Sequence, residues 1–129
     1  FGGEFLETCR RNTVRRRVLS LHKTVRKHFG EVVTVTQEVQ DIISSPIVKE
    51  AIINNSDCKI LLDQRKFMNR FDAIQTLLGL TDKEKAQILS INMSNHPGRK
   101  YKEVWIGLGG VQSAVYATEV SKQEYLVRP

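Results

Sequence analysis

The stretch from Glu31 to Gln64, EVVTVTQEVQDIISSPIVKEAIINNSDCKILLDQ, constrains the fold of this chain more than any other. It reads as a strand, a polar switch, a helix, a second strand and a second polar switch. The first strand, Val32 to Thr36, stops on Gln37, and the second, Cys58 to Leu62, stops on Asp63-Gln64. Only Thr34 and Thr36 interrupt the apolar character of the first, as expected of an interior parallel strand. The segment between them is long enough for a crossover that sets the two strands parallel. In open α/β sheets, ligands sit beyond the carboxyl ends of the strands. Gln37 and Gln64 then emerge where a nucleotide phosphate would be read, although ordinary turn residues satisfy the same pattern.

The flanking sequence continues in the same style. Val18, Leu21, Val25 and Phe29 recur at helical spacing, which predicts a helix over residues 14–28, with Gly30 as the glycine that ends it. After Val39 to Ser45, the run Ser44-Ser45-Pro46 reads as a break and a helix restart, because proline is accepted in a first helical turn. Ile47, Val48, Ala51 and Ile52 supply the buried face of that helix, and Asn54 to Asp57 form a turn cluster. A further helix over residues 66–78 carries Phe67, Phe71, Ile74, Leu77 and Leu78 and stops at Gly79. Thr81-Asp82-Lys83-Glu84 is a capping box opening a helix through about Leu89, and residues 92–99 form a loop. The segments Val104 to Leu108 and Val111 to Val120 flank Gly109-Gly110, the strongest hairpin signal in the chain. Ser121 to Glu124 opens a short terminal helix or turn. The pattern is α/β with an antiparallel edge hairpin.

Charge is unevenly spread. The chain has 129 residues and a net charge of +6. Residues 1–28 hold eight of the basic groups against Glu4 and Glu7, which leaves twelve basic and twelve acidic groups in the remainder. A basic arm of this kind could touch phosphates, with Arg15, Arg16 and Arg17 foremost, but no aromatic residues interleave for stacking on single strands. A solvated helix face accounts for it equally simply. No apolar run approaches the roughly 20 residues a membrane span requires. The opening FGGEFLETCRRN lacks the apolar centre of a signal peptide. Cys9 and Cys58 have neither C-x-x-C spacing nor nearby histidines, so the expectation is free thiols in a reducing cytoplasm and no metal site. His22, His28 and His96 read as surface or packing histidines.

Two long blocks carry a resemblance to a known family: LHKTVRKHFGEVVTVTQEVQDIISSPIVKEAIINNSDCKILLDQRKFMNRFDAIQTLLGLTDKEKAQILSI and YKEVWIGLGGVQSAVYATEVSKQEYL. Together they resemble the C-terminal end of the transfer ATPases of bacterial conjugation and type IV secretion. Within these, they are similar to the TraG-like proteins encoded by conjugative transposons. The resemblance runs from about Leu19 to Leu126. It implies a RecA-like motor domain, a three-layer parallel sheet with helices on both faces, acting as a hexamer. It implies ATP and magnesium as the parent's cofactors and ATP-driven pilus assembly and DNA or protein transfer as its work. The implied partners are other subunits of the same ATPase and inner-membrane components of the secretion channel, with DNA contacted indirectly. The implied location is the bacterial cytoplasm at the inner-membrane face. Residues 1–17 depart from the family pattern, and residues 18–129 correspond to the C-terminal part of the ATPase domain.

The same resemblance assigns roles. Gln37, following Thr36, corresponds to a sensor glutamine that bonds the attacking water or the terminal phosphate. A neutral amide suits this, since it orients water without competing for the proton. Arg26 corresponds to an arginine reaching into the neighbouring subunit's nucleotide, with Lys27 the near alternative and a surface ion pair the plain one. Gln64, Arg65 and Lys66 resemble a later nucleotide-proximal motif, and Asp63 fits better as a cap for the helix that follows.

An ATPase also needs a phosphate cradle, usually G-x-x-x-x-G-K-[ST], and carboxylates for magnesium and the attacking water. The sequence contains no such loop, and Gly107-Leu108-Gly109-Gly110 reads as a β-turn with no Lys-Ser/Thr after it. The acidic motif expected before the helix of Arg26 is replaced by FGGEFLETCRRNTVRRR. Either the chain starts after that motif behind an unrelated leader, or it is a truncated copy. The expectation is a fragment of a transfer ATPase that does not hydrolyse ATP alone. A small basic nucleic-acid-binding module and a protein-binding α/β domain are the rival readings.

Overall fold

A computed structural model describes residues 12–37, 46–94 and 96–127. The chain divides into two units, residues 1–57 and 58–129, which are taken separately.

In the first unit, helix α1 spans Asn12–Thr24 and tightens into a 3-10 turn over Val25–His28. It packs on α2, Pro46–Asn55, which begins on its proline as expected. Ile52 is buried; the expected break over residues 39–45 lies outside the described residues. The end of the 3-10 turn differs from the sequence expectation by one residue. Phe29, not Gly30, takes the left-handed conformation, with φ 54°. The Phe29 N–H donates to Arg26 O at 3.2 Å and the Gly30 N–H to Val25 O at 3.1 Å, the two bonds of a Schellman cap. Gly30 is required for space instead: a Cβ on it would lie 2.7 Å from Val25 Cγ2.

Residues 31–36 form no strand ladder. They run with Val32, Thr34 and Thr36 half-buried while Val33 and Val35 are 83% and 76% exposed. The alternation is that of a strand, but none of the described residues forms a strand ladder with it.

The second unit is built on a three-stranded sheet in the order β1-β2-β3: β1 Cys58–Leu61, β2 Lys102–Leu108 and β3 Gln112–Thr118. Every pairing is antiparallel, with Leu61 opposite Trp105 and Trp105 opposite Val115. The fold is thus mixed α/β; β1 lies antiparallel to the hairpin, and no parallel pair occurs among the described residues. The hairpin turn is as expected: Gly109 and Gly110 have φ 53° and 73°, the two positive values of a type I′ turn.

Between β1 and β2 come a 3-10 segment, Arg65–Arg70, then α3, Phe71–Leu78, and α4, Asp82–Leu89. The helix expected from residue 66 is therefore α-helical only from Phe71. Gly79 caps α3 at φ 65°, with Leu80 N–H donating to Gln75 O at 3.0 Å. Thr81 and Glu84 form the expected capping box, the Glu84 N–H donating to Thr81 Oγ1 and the Thr81 N–H to Glu84 Oε1, both at 3.2 Å. Helix α4 packs on β2 and β3, and Phe71, Ile74, Leu80, Ile88, Ile91 and Trp105 are the buried apolar residues of this unit. Trp105 Nε1 and Ser113 Oγ both donate to Gln87 Oε1, at 3.2 and 3.1 Å, so the one buried indole N–H has its acceptor. Ser121 and Glu124 cap α5, Lys122–Val127, in the same reciprocal way as Thr81 and Glu84.

Candidate functional site

The residues singled out in the sequence fall into the two units. In the first, Arg26 sits in the 3-10 turn and forms an ion pair with Asp57, both side chains largely exposed. Exposed pairs of this kind contribute only about 0.2–1 kcal/mol, so the guanidinium is held loosely. Lys27 is exposed, as are Arg16 and Arg17 on α1; the side chain of Arg15 lies outside the described residues. The His22 ring and Thr34 Oγ1 are 3.3 Å apart, tying the extended segment to α1. Thr36 is half-buried and Gln37 exposed, at the last described residue before position 46.

In the second unit, Asp63 to Lys66 follow β1. Asp63 accepts the Arg65 backbone N–H at 3.0 Å, an Asx turn leading into the 3-10 segment, whose N-cap position is held by Gln64 rather than by the expected Asp63. The Arg65 Nε–H donates to both Asp63 oxygens, at 3.0 and 2.9 Å, and Nη2 lies 2.6 Å from Oδ2. The hydrogen bond from Arg65 holds the Asp63 carboxyl below its ordinary pKa against the opposing effect of burial, and Asp63 in turn raises that of Arg65. Gln64 Nε2 donates to Leu62 O at 3.1 Å, and Lys66 Nζ lies 5.6 Å from the centre of the Phe67 ring.

Behind Asp63 stands a residue that the sequence did not single out. Asn92, only 6% exposed, has φ 58°. Its N–H donates to Glu103 Oε2 at 2.8 Å, its Oδ1 accepts the Glu103 N–H at 3.0 Å, and its Nδ2 donates to Asp63 Oδ2 at 3.4 Å. Glu103 also holds Arg99 at 2.9 Å, and Arg99 lies 4.2 Å from the centre of the Tyr101 ring. The only available sequence signal was an asparagine just beyond a helix end, one of the few side chains that tolerates a left-handed backbone.

A family model, the TraG P-loop domain, matches residues 6–128. The chain belongs to the TraG P-loop family. The matched span takes in residues 6–17 as well as the two blocks that carried the resemblance. No curated protein and no solved structure matches significantly. Membership ties this TraG-family chain to conjugation and to a nucleotide-binding parent. Gln37 and Arg26 of the first unit are exposed, and so is Arg65 of the second. The sequence has no glycine-rich phosphate loop, and the described residues hold no cluster of three possible metal ligands. Cys58 is a free, exposed cysteine, and Cys9 lies outside the described residues. No described helix is long and apolar enough to cross a membrane.

Proposed function

We propose that this TraG-family chain is the C-terminal part of the motor domain of a conjugative-transfer ATPase that works with a type IV secretion channel. The match to the TraG P-loop domain across nearly the whole chain carries the reading. In the parent, the extended segment 31–36 enters a RecA-like parallel sheet; its extended backbone and its largely apolar sequence support that role. Gln37 at its end orients the water that attacks the terminal phosphate. Arg26 reaches the nucleotide of the next subunit in a hexamer, where a guanidinium offsets charge spreading over the transferred phosphoryl group. The parent binds ATP with magnesium and lies in the cytoplasm against the inner membrane. The DNA is the cargo of an element such as a conjugative transposon. This chain alone does not turn over ATP.

Kinetics of the parent carrying Gln37→Ala test the reading. A contact made mainly in the transition state appears in kcat, so kcat falls while nucleotide affinity holds. Unchanged kcat with weakened KM would reduce Gln37 to a binding residue.

A second reading rests on the sequence of α1 and its 3-10 extension, NTVRRRVLSLHKTVRKH, which contains no acidic residue. Arg16, Arg17, Lys23 and Lys27 are exposed along it. On this reading the segment binds nucleic-acid phosphates, and binding weakens steeply with salt.

A further inference from the structure

The carboxylate of Asp63 is used on two sides. Arg65 grips it through Nε and Nη2, and Asn92 Nδ2 reaches Oδ2 from the interior. The amide of Asn92 has no freedom to turn over. Its Oδ1 is committed to the Glu103 N–H, so its donor end faces Asp63. The 3.4 Å bond is long, but its direction is set by the shorter bond that the Oδ1 of the same amide accepts. Burial makes those bonds consequential, because an unpaired buried amide costs about 1–3 kcal/mol. The left-handed backbone of Asn92 adds a conformation that non-glycine residues adopt at a cost.

Arg65 itself is 54% exposed on its side chain. With Nε and Nη2 turned to Asp63, the Nη1 corner has no partner among the described residues. A guanidinium backed by a carboxylate on one edge and open on the other can take a phosphate oxygen through its remaining donors.

We propose that Asp63 and Asn92 are positioning residues for Arg65, holding its guanidinium so that the open edge receives a phosphate oxygen of the bound nucleotide. Asp63 acts directly, and Asn92 acts through Asp63. The inference rests on the nucleotide-binding reading above and assigns it a support structure: Glu103 and Asn92 anchor Asp63, and Asp63 anchors Arg65. Lysine in place of Arg65 could not serve, since it lacks the second edge.

Isotope-edited NMR of the arginine Nε–H groups in the full chain tests the positioning without ligand. The Arg65 Nε–H exchanges slowly with solvent in the native chain. Asn92→Gly keeps the left-handed backbone but removes the amide, and exchange at Arg65 quickens about fivefold, the equivalent of one ordinary hydrogen bond. Asn92→Asp keeps the acceptor for the Glu103 N–H but sets a carboxylate oxygen against Asp63 in place of the donor, so it loosens Arg65 at least as much even if the glycine variant fails to fold. An unchanged rate in a folded variant overturns the role of Asn92. Titration with ATP, against adenosine as control, then tests the ligand. ATP moves the Arg65 guanidinium resonances, adenosine does not, and ATP affinity falls about fivefold in the loosened variant. If ATP shifts other residues and leaves Arg65 unmoved, the proposal is overturned while the nucleotide reading stands. If ATP shifts nothing in this chain, the phosphate-receiving role of Arg65 is overturned, while the reading of the parent, which supplies the phosphate loop, is decided by the Gln37→Ala kinetics.

Discussion

The indole of Trp105 occupies the space that a side chain at Gly107 would need. A Cβ on Gly107 would come within 2.9 Å of both Cζ2 and Cζ3, with Cη2 closer still. The two residues are two apart on β2 and share a face, so the glycine is the gap into which the tryptophan folds.

Gly107→Ala therefore overpacks a fully buried ring. The expected loss is about 1–3 kcal/mol, the usual range for an added methyl group in a tight core. Urea unfolding followed by Trp105 fluorescence measures it, and since Trp105 is the sole tryptophan the signal has a single source. Unaltered stability would mean that the ring rests elsewhere in solution.

Phe29→Gly should stabilise the first unit. Phe29 is 100% exposed, so its removal forfeits no burial, and φ 54° is a conformation that glycine adopts freely. Relief of left-handed strain, about 1–2 kcal/mol, outweighs the added chain entropy of about 0.5–1 kcal/mol. A rise in the thermal midpoint is expected from Phe29→Gly and a fall from Gly30→Ala, which drives a methyl group into Val25. The opposite ordering would show that Phe29 is covered in solution.

Acid should weaken the second unit partly through Asp63. Its carboxyl titrates lower in the folded chain than in the unfolded one, because Arg65 favours the charged form. The sign follows: this stabilisation is complete above the unfolded value near 4, and it disappears as pH falls through the lower folded value. Thermal midpoints of Asp63→Asn should depend less steeply on pH in that window than those of the native chain. Equal slopes would show that Arg65 does not grip Asp63 in solution.

In the parent, Arg26→Ala should be repaired by mixing. A subunit with an intact nucleotide site and no Arg26 can be completed by one that keeps Arg26 and lacks its own nucleotide-binding lysine. ATP turnover by the mixture, from two separately inactive variants, is the expected result. No recovery would assign Arg26 to its own subunit, where the pair with Asp57 already places it within reach of a carboxylate.

What the sequence disclosed was whatever is decided within a few residues. The Thr81–Glu84 box, the Gly79 cap and the Gly109-Gly110 turn depend on local geometry, and all three stand where the residue types placed them. The strand expected at residues 32–36 depends on a neighbour that no local pattern can provide, and the segment carries strand alternation without a ladder. A long crossover permits β1 to run parallel to an earlier strand but does not forbid antiparallel pairing with a later one. At the Phe29-Gly30 end, the order of the two residues misled, because a glycine needed for clearance looks identical in sequence to one needed for its φ. Asn92 was hidden for a similar reason. Its partners, Asp63 and Glu103, lie 29 and 11 positions away, and only the folded chain brings them to one amide.

Among the described residues, strand β1 bonds to β2 on one side alone. Its other side offers main-chain donors and acceptors to any extended segment that approaches, whatever that segment's side chains. Ile60 and Leu62 beside it are well exposed, which makes the approach adhesive as well as permissive. The colloidal behaviour of the chain is thus a contest between this open border and the mutual repulsion of molecules carrying a net charge of +6. Salt tips that contest by screening the repulsion while leaving the border intact, so clear solutions belong to dilute, low-salt buffers.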